Sequence, residues 1–176
     1  MKTKSLLLIL LMMCCSLFVK AQAPSALPCM DDAQSKEFNF WIGEWDVYAT
    51  GTQTLVGHSV VQQVSGGCAI LENWTEQHSP NSGKSLNYVD RATNKWKQTW
   101  IGSERKGQQD FVNGEYTDSA MRFTFERMNA QGQKIIGRFI FYNLGPDKVR
   151  QFNETSADSG KTWKTAYDFT YIRKKG

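Results

Sequence analysis

The sequence predicts an all-β fold, an antiparallel up-and-down barrel of about ten strands preceded by one short helix. Three observations support this prediction: short apolar runs separated by brief turns, alternation of apolar and polar residues within those runs, and 12% aromatic residues among 176. A sheet that closes on itself buries its apolar face and has no exposed edge. A two-sheet sandwich is the alternative arrangement of the same strands.

The N-terminal residues predict a secretory signal peptide. Two lysines precede a run over residues 6–19 that is apolar except for Ser16, and this run is shorter than the roughly 20 residues that a membrane-spanning helix needs. Small residues follow the run, and cleavage after Ala21 leaves Gln22 as the first mature residue. The chain then divides into a signal peptide (1–21), an extended leader (22–30) and one barrel domain (31–176).

We therefore expect an exported protein, periplasmic or secreted, without a transmembrane segment. A lipoprotein acylated at Cys14 or Cys15 is the less favoured alternative, because bulky residues precede these cysteines where a lipobox needs small ones. Removal of the signal peptide takes three of the 21 basic residues, and 18 remain against 17 acidic residues. The net charge falls from +4 to +1, which argues against nucleic acid as a partner.

Two cysteines, Cys29 and Cys68, remain in the mature chain. An even pair in an oxidising compartment predicts one disulfide, with two buried free thiols as the alternative. Asp31 or Asp32 can cap a short helix that runs to about Asn39. Ten strands are predicted after it, at residues 45–50, 54–64, 68–77, 84–90, 95–101, 108–116, 120–128, 134–142, 148–154 and 162–173.

Alternation assigns an inner face to several of these strands. In each of these strands every second residue is mainly apolar or aromatic, and the residues between them are mainly polar or charged. The residues of the inner parity include Met121, Phe123, Phe125, Trp96, Gln98, Trp100, Tyr167, Phe169 and Tyr171.

A tripeptide, Gly43-Glu44-Trp45, lies where the short helix gives way to the first strand. It resembles the Gly-x-Trp signature of lipocalins and related calycin barrels, which implies that Trp45 closes one end of the barrel with Arg173 stacked over it. The mature chain also resembles a family of exported bacterial lipocalin-like proteins of uncharacterised function, on the segments FWIGEWDV, GGCAILENW, SLNYVD, KWKQTW and SADSGKTW. That resemblance implies the fold and export, and no activity.

Residues 156–163 resemble the Asp-box pattern Ser-x-Asp-x-Gly-x-Thr-Trp. The chemistry of these residue types predicts a structural hairpin turn, in which Asp158 binds neighbouring amides, Gly160 supplies a positive φ and Trp163 packs beneath the turn. The motif occurs once and the chain is too short for a propeller, so no glycosidase activity is inferred from it.

Few groups in the mature chain point to a particular chemistry. His58 and His78 are its only histidines, no metal-binding spacing is present, and no Gly-x-Ser-x-Gly elbow occurs. No metal and no cofactor is therefore predicted. Haem remains an alternative because some calycin-like barrels bind haem through an axial histidine.

Two charged residues lie within strands that are otherwise apolar, Glu72 and Arg138. A buried charge must be paired or face a wet cavity, so we expect both to point into the lumen. The alternative is that they point outward into solvent. With Trp74, Trp96, Gln98 and Trp100, they form the candidate ligand-binding set.

The sequence thus favours an exported protein that binds a small, partly apolar molecule in an aromatic lumen. The main alternative is an enzyme acting on a small molecule in the lumen, with Glu72 as general acid or base. An interaction module that uses its outer face is a third possibility. The oligomeric state is not predicted.

Overall fold

The computed structural model describes residues 27–104 and 107–175, so the signal peptide predicted at 1–21 and most of the leader lie outside the described residues. Two one-turn helices come first, α1 (Pro28–Asp31) and α2 (Ala33–Lys36), followed by a 3-10 turn at Asn39–Trp41. The strands are β1 (Gly43–Ala49), β2 (Leu55–Val64), β3 (Ala69–Glu76), β4 (Ser82–Asp90), β5 (Lys95–Gly102), β6 (Gln108–Thr117), β7 (Ala120–Met128), β8 (Lys134–Asn143), β9 (Lys148–Ser156) and β10 (Lys164–Arg173).

The strands form one closed antiparallel barrel in which each strand pairs with its neighbours in sequence. β1 closes the sheet against β10, with Trp45 opposite Arg173 and Ala49 opposite Phe169. The all-β barrel prediction is confirmed. The sandwich alternative is wrong because the pairing of the first and last strands leaves no sheet edge.

The N-terminal helix differs from the expectation of one helix ending near Asn39. Asp32 has an extended backbone and interrupts the helix, and its carboxylate accepts hydrogen bonds from the amide (2.9 Å) and the hydroxyl (2.6 Å) of Ser35. Asp32 is therefore the N-cap of α2, as one of the two candidates predicted. No described helix is long and apolar enough to cross a membrane.

Aromatic side chains fill one end of the barrel, which we call the closed end. Phe38 and Trp41 enter the barrel from the N-terminal segment and pack on Phe141, with ring centroids 5.0 and 4.6 Å from it. Phe38 also contacts Trp96 and Phe123. These five buried residues form the aromatic plug.

Trp45 lies at the same end and is fully buried. Its indole N–H donates to the carbonyl oxygen of Trp41 at 2.9 Å, which ties β1 to the plug. The Arg173 guanidinium lies 4.2 Å from the Trp45 ring centroid and donates to the carbonyl oxygens of Ile42 and Pro146. This is the stacking that the Gly-x-Trp resemblance implies.

The predicted disulfide is present between Cys29 of α1 and Cys68, just before β3. It attaches the N-terminal segment to the closed end of the barrel. A disulfide is typical of a protein that folds in an oxidising compartment.

The β9–β10 hairpin turn has the contacts expected of residues 156–163. The Asp158 carboxylate accepts hydrogen bonds from the amide (2.9 Å) and the hydroxyl (2.6 Å) of Thr162, and these bonds hold its pKa well below the usual range. Gly160 has φ +89°, and its carbonyl oxygen accepts from the indole N–H of Trp163 at 3.1 Å. The turn is thus a structural element that fixes where β10 begins.

Removal of the disulfide should destabilise the barrel. In the chain-entropy model, cross-linking a loop of 39 residues contributes about 4 kcal/mol to the free energy of unfolding. We expect the variant with Cys29→Ser and Cys68→Ser to lose several kcal/mol in urea denaturation under oxidising conditions. An unchanged unfolding midpoint and slope would contradict the role given to the bridge.

Candidate functional site

The other end of the barrel encloses a cavity of about 390 Å³, a volume within the range typical of small-molecule sites. It opens among the strand ends at Glu76, Ser82 and Arg127, which we call the mouth. Its wall is largely aromatic, formed by Trp74, Trp100, Phe111, Phe125, Phe139, Tyr167 and Phe169. Its inner surface, the polar floor, is formed by Glu72, Gln98, Gln151, Asn153 and Tyr171.

Three strands carry a polar residue deeper in the barrel than an aromatic one. Glu72, Gln98 and Tyr171 each lie two residues closer to the closed end than Trp74, Trp100 and Phe169 on the same strand, and side chains two residues apart point to the same face. On β9, Gln151 and Asn153 lie opposite Phe169 and Tyr167. A molecule that enters the mouth along β3, β5 or β10 therefore passes an aromatic ring before it reaches a polar group.

Glu72 is the charged group of the polar floor, and only 3% of the residue is exposed. Its carboxylate accepts hydrogen bonds from the hydroxyls of Ser59 on β2 at 2.8 Å and Ser85 on β4 at 3.0 Å. Tyr171 on β10 supplies a third, longer hydroxyl contact at 3.4 Å. All three donors are neutral, so they orient the carboxylate without balancing its charge.

A chain of hydrogen bonds extends from Glu72 across the neighbouring strands. The Asn87 amide donates to the Ser85 hydroxyl at 3.1 Å and to the backbone carbonyl of Ile70 at 3.1 Å. Gln98 donates to the Asn87 side-chain oxygen at 2.6 Å. The orientation of Gln98 in the cavity is therefore coupled to that of Glu72 through two intermediate residues.

Burial raises the pKa of the Glu72 carboxyl to about 7, and the hydrogen bonds from Ser59, Ser85 and Tyr171 oppose this shift. Burial and the adjacent Glu72 charge raise the pKa of the Tyr171 phenol well above its ordinary value. The floor therefore contains one group that exchanges a proton near neutral pH and one that stays protonated.

Two glycines keep the mouth half of the cavity open. A Cβ at Gly83 on β4 would lie 2.2 Å from the Trp100 ring, and one at Gly57 on β2 would lie 2.5 Å from the Trp74 ring. Because neither glycine has a side chain, each indole lies flat against the adjacent strand instead of projecting across the lumen. The aromatic wall thus surrounds the space rather than filling it.

The structure brings four of the six predicted ligand-binding residues to this cavity, namely Glu72, Trp74, Gln98 and Trp100. Trp96 has the predicted inward orientation but belongs to the aromatic plug, where its indole N–H donates to the Glu37 carboxylate at 3.0 Å. The alternative that Glu72 faces solvent is wrong.

The expectation that Arg138 points into the lumen is wrong. Its guanidinium lies on the outer surface, 3.8 Å from the ring centroid of Trp163, and donates to the Glu154 carboxylate at 3.2 Å. Its face of β8 also carries Ile136 and Ile140, so that this strand is apolar on both faces and its sequence does not distinguish inside from outside.

Neither histidine lines the described cavity. His58 lies on the outer surface, within 2.7 Å of the Asp46 carboxylate and 2.9 Å of the Gln77 side-chain oxygen, and His78 is exposed in a loop. A haem held by an axial histidine does not fit the described lining of this lumen.

The sequence analysis missed Gln151, Asn153 and Tyr171 as floor residues. Tyr171 shares its parity with Tyr167 and Phe169, and that alternation placed it on the inner face without indicating its depth. Gln151 and Asn153 face inward on β9 while Phe152 between them faces outward, so the usual apolar-in pattern is reversed there. Pairing of β9 with the strongly alternating β10 is the signal that identifies them.

No protein-family model matches this chain, and no curated protein matches its sequence.

Glu72 should make the protein less stable as the pH rises from 4.5 to 7. Its carboxyl ionises near 4.5 in the unfolded chain and near 7 in the barrel, so the folded state binds more protons between these values. The free energy of unfolding should fall by about 3 kcal/mol over this interval relative to the Glu72→Gln variant. Urea denaturation of both proteins at a series of pH values measures the difference.

The control is Glu126→Gln, which removes an exposed carboxylate that pairs with Lys134 on the outer surface at 2.8 Å. Its stability should follow the wild-type pH profile. Parallel profiles for wild type and Glu72→Gln would show that the Glu72 carboxyl titrates normally and would contradict its burial without a counter-charge.

Proposed function

We propose that this barrel is an exported binding protein that holds one small, partly apolar molecule in its lumen. The observation that carries the proposal is the open cavity with an aromatic wall and a polar floor. Aromatic surface supplies non-directional affinity, and a few polar groups at the inner end fix the orientation of the ligand. The ligand would thus enter with its polar end first.

The disulfide at the closed end is consistent with export, because such bonds persist in oxidising compartments. The aromatic plug closes the end opposite the mouth, so the mouth is the route by which a ligand would enter among the described residues. The aromatic wall residues all lie on hydrogen-bonded strands of the barrel rather than on loops, which would reduce the entropic cost of binding.

A second candidate function is catalysis by Glu72, because a carboxyl with a pKa of about 7 is suited to general acid or base work at neutral pH. An enzyme of this kind would convert a molecule bound in the cavity, and the Glu72→Gln variant would retain binding but lose turnover. A binding protein would release the same molecule unchanged after prolonged incubation. Mass analysis of the released ligand separates the two functions.

Binding in the cavity should change the fluorescence of the wall tryptophans. We expect the neutral apolar probe N-phenyl-1-naphthylamine to quench tryptophan emission in wild type and equally in Trp163→Phe, whose indole lies on the outer surface. The Trp100→Phe variant should lose part of this quenching because Trp100 lines the cavity. Native mass spectrometry of the protein isolated from its own host should show one retained mass per chain.

Equal quenching in both variants would place the probe outside the cavity. Repeated ligand-free spectra together with no saturable probe binding would contradict the proposed function.

A further inference from the structure

The floor of the cavity contains an acidic group without a basic partner. No described Lys, Arg or His forms an ion pair with Glu72, although ion pairs are frequent on the outer surface of the same barrel. Arg127, the basic residue among the described cavity-lining residues, lies at the mouth end of β7. A buried charge without a partner is unfavourable, so the Glu72 carboxylate lacks a counter-charge when no ligand is bound.

The Glu72 carboxylate also has room for one more hydrogen-bond donor. An ionised carboxylate offers about four acceptor positions, and Ser59, Ser85 and Tyr171 occupy three. Glu72 itself lines the cavity, so a molecule bound at the floor would lie beside this carboxylate.

Aromatic rings line the path to this carboxylate. Trp74 and Phe169 are nearly parallel, with an interplanar angle of 12° and centroids 6.3 Å apart, and Phe169 stacks on Tyr167 at 5.0 Å. Ring faces carry partial negative charge and attract ammonium groups, most strongly where water is excluded. The aromatic wall and the Glu72 carboxylate of the floor therefore both favour a positively charged ligand.

We propose that the lumen is a site for a cationic amine, whose protonated amino group binds Glu72 while its apolar body lies against Trp74, Trp100 and Phe169. This inference rests on the proposed binding function and specifies the ligand class. Glu72 lies four residues from Glu76 at the mouth end of β3, about 13 Å along the strand. The amine would accordingly be carried on a body long enough to reach from the wall to the floor.

Other ligand classes fit the floor less well. A carboxylate or phosphate placed there would face the Glu72 charge with only neutral donors nearby. An alcohol or amide can use the free acceptor position, but it leaves the carboxylate without a counter-charge. An ammonium group supplies the hydrogen bond and the counter-charge together.

Binding of an amine should be coupled to release of the proton that Glu72 holds in the empty protein. No described basic side chain of the surrounding strands forms an ion pair with Glu72. Ser59 (β2), Ser85 (β4) and Tyr171 (β10) donate hydrogen bonds to it, Gln98 (β5), Gln151 and Asn153 (β9) and Tyr167 (β10) line the same cavity, and Glu76, Glu104 and Arg127 lie at the mouth.

Calorimetric titration with three probes of similar size tests the inference: 2-phenylethylamine, 2-phenylethanol and 3-phenylpropionate. At pH 8 we expect the amine to bind wild type at least about tenfold more tightly than the alcohol, and the anion to bind most weakly. The affinity for the amine should rise about tenfold from pH 6 to pH 8 as Glu72 ionises, with proton release at pH 7 detected by changing the buffer.

The Glu72→Gln variant should lose both the preference for the amine over the alcohol and its pH dependence. The Glu126→Gln control should retain both. Equal binding of amine and alcohol, tightest binding of the anion, or a preference that persists in Glu72→Gln would overturn the amine inference and leave the proposed binding function standing.

Failure of all three probes to bind overturns the amine inference as well. In that case the native mass spectrum and the naphthylamine titration decide separately whether the lumen is a binding site for another class of molecule.

Discussion

A closed barrel of ten strands encloses more space than its own inward side chains fill, and the rest of the structure depends on this constraint. At one end the N-terminal segment supplies the missing volume, because Phe38 and Trp41 insert between the strands and complete the aromatic plug. The disulfide holds that segment in place. At the other end nothing described is inserted, and glycines opposite Trp74 and Trp100 keep those rings against the wall.

Glu72 lies where the packed half of the barrel meets the open half. Its position explains the chemistry of the cavity, because three neutral hydroxyls hold the carboxylate while no described basic residue balances it. In a barrel that served only as a scaffold, we would expect an apolar residue at this position. A well-packed apolar side chain avoids the free-energy cost of removing a carboxyl group from water. The proposed binding of a cationic ligand accounts for an acid at this position, because the ligand would supply the counter-charge.

The sequence predicts the barrel well because alternation is a local property of each strand. Met121, Phe123 and Phe125 could be assigned to the interior from their own spacing. Glu72 and Arg138 were both expected inside because each is a charge in an otherwise apolar strand, and only Glu72 lies there. Arg138 could not be assigned, because β8 is apolar on both faces and only its pairing with β9 fixes which face is outside.

The depth of each inward-facing residue along the barrel axis could not be predicted from the sequence. Trp96 and Trp100 have the same parity on one strand, yet one packs in the plug and the other lines the cavity. Their difference depends on how far the N-terminal segment enters the barrel and on the stagger between neighbouring strands, which only the assembled fold determines. The polar floor was missed in part for the same reason, since only the β9–β10 register places Gln151 and Asn153 opposite the inward-facing Phe169 and Tyr167.

The proposals depend on Glu72 being a buried acid with no described counter-charge. An NMR titration of the side-chain carboxyl carbon of Glu72 in the ligand-free protein measures its ionisation. We expect a midpoint near pH 7, because burial disfavours the ionised form. A midpoint near the ordinary glutamate value of about 4.3 would mean that the carboxylate is solvated or paired, and would contradict the claim.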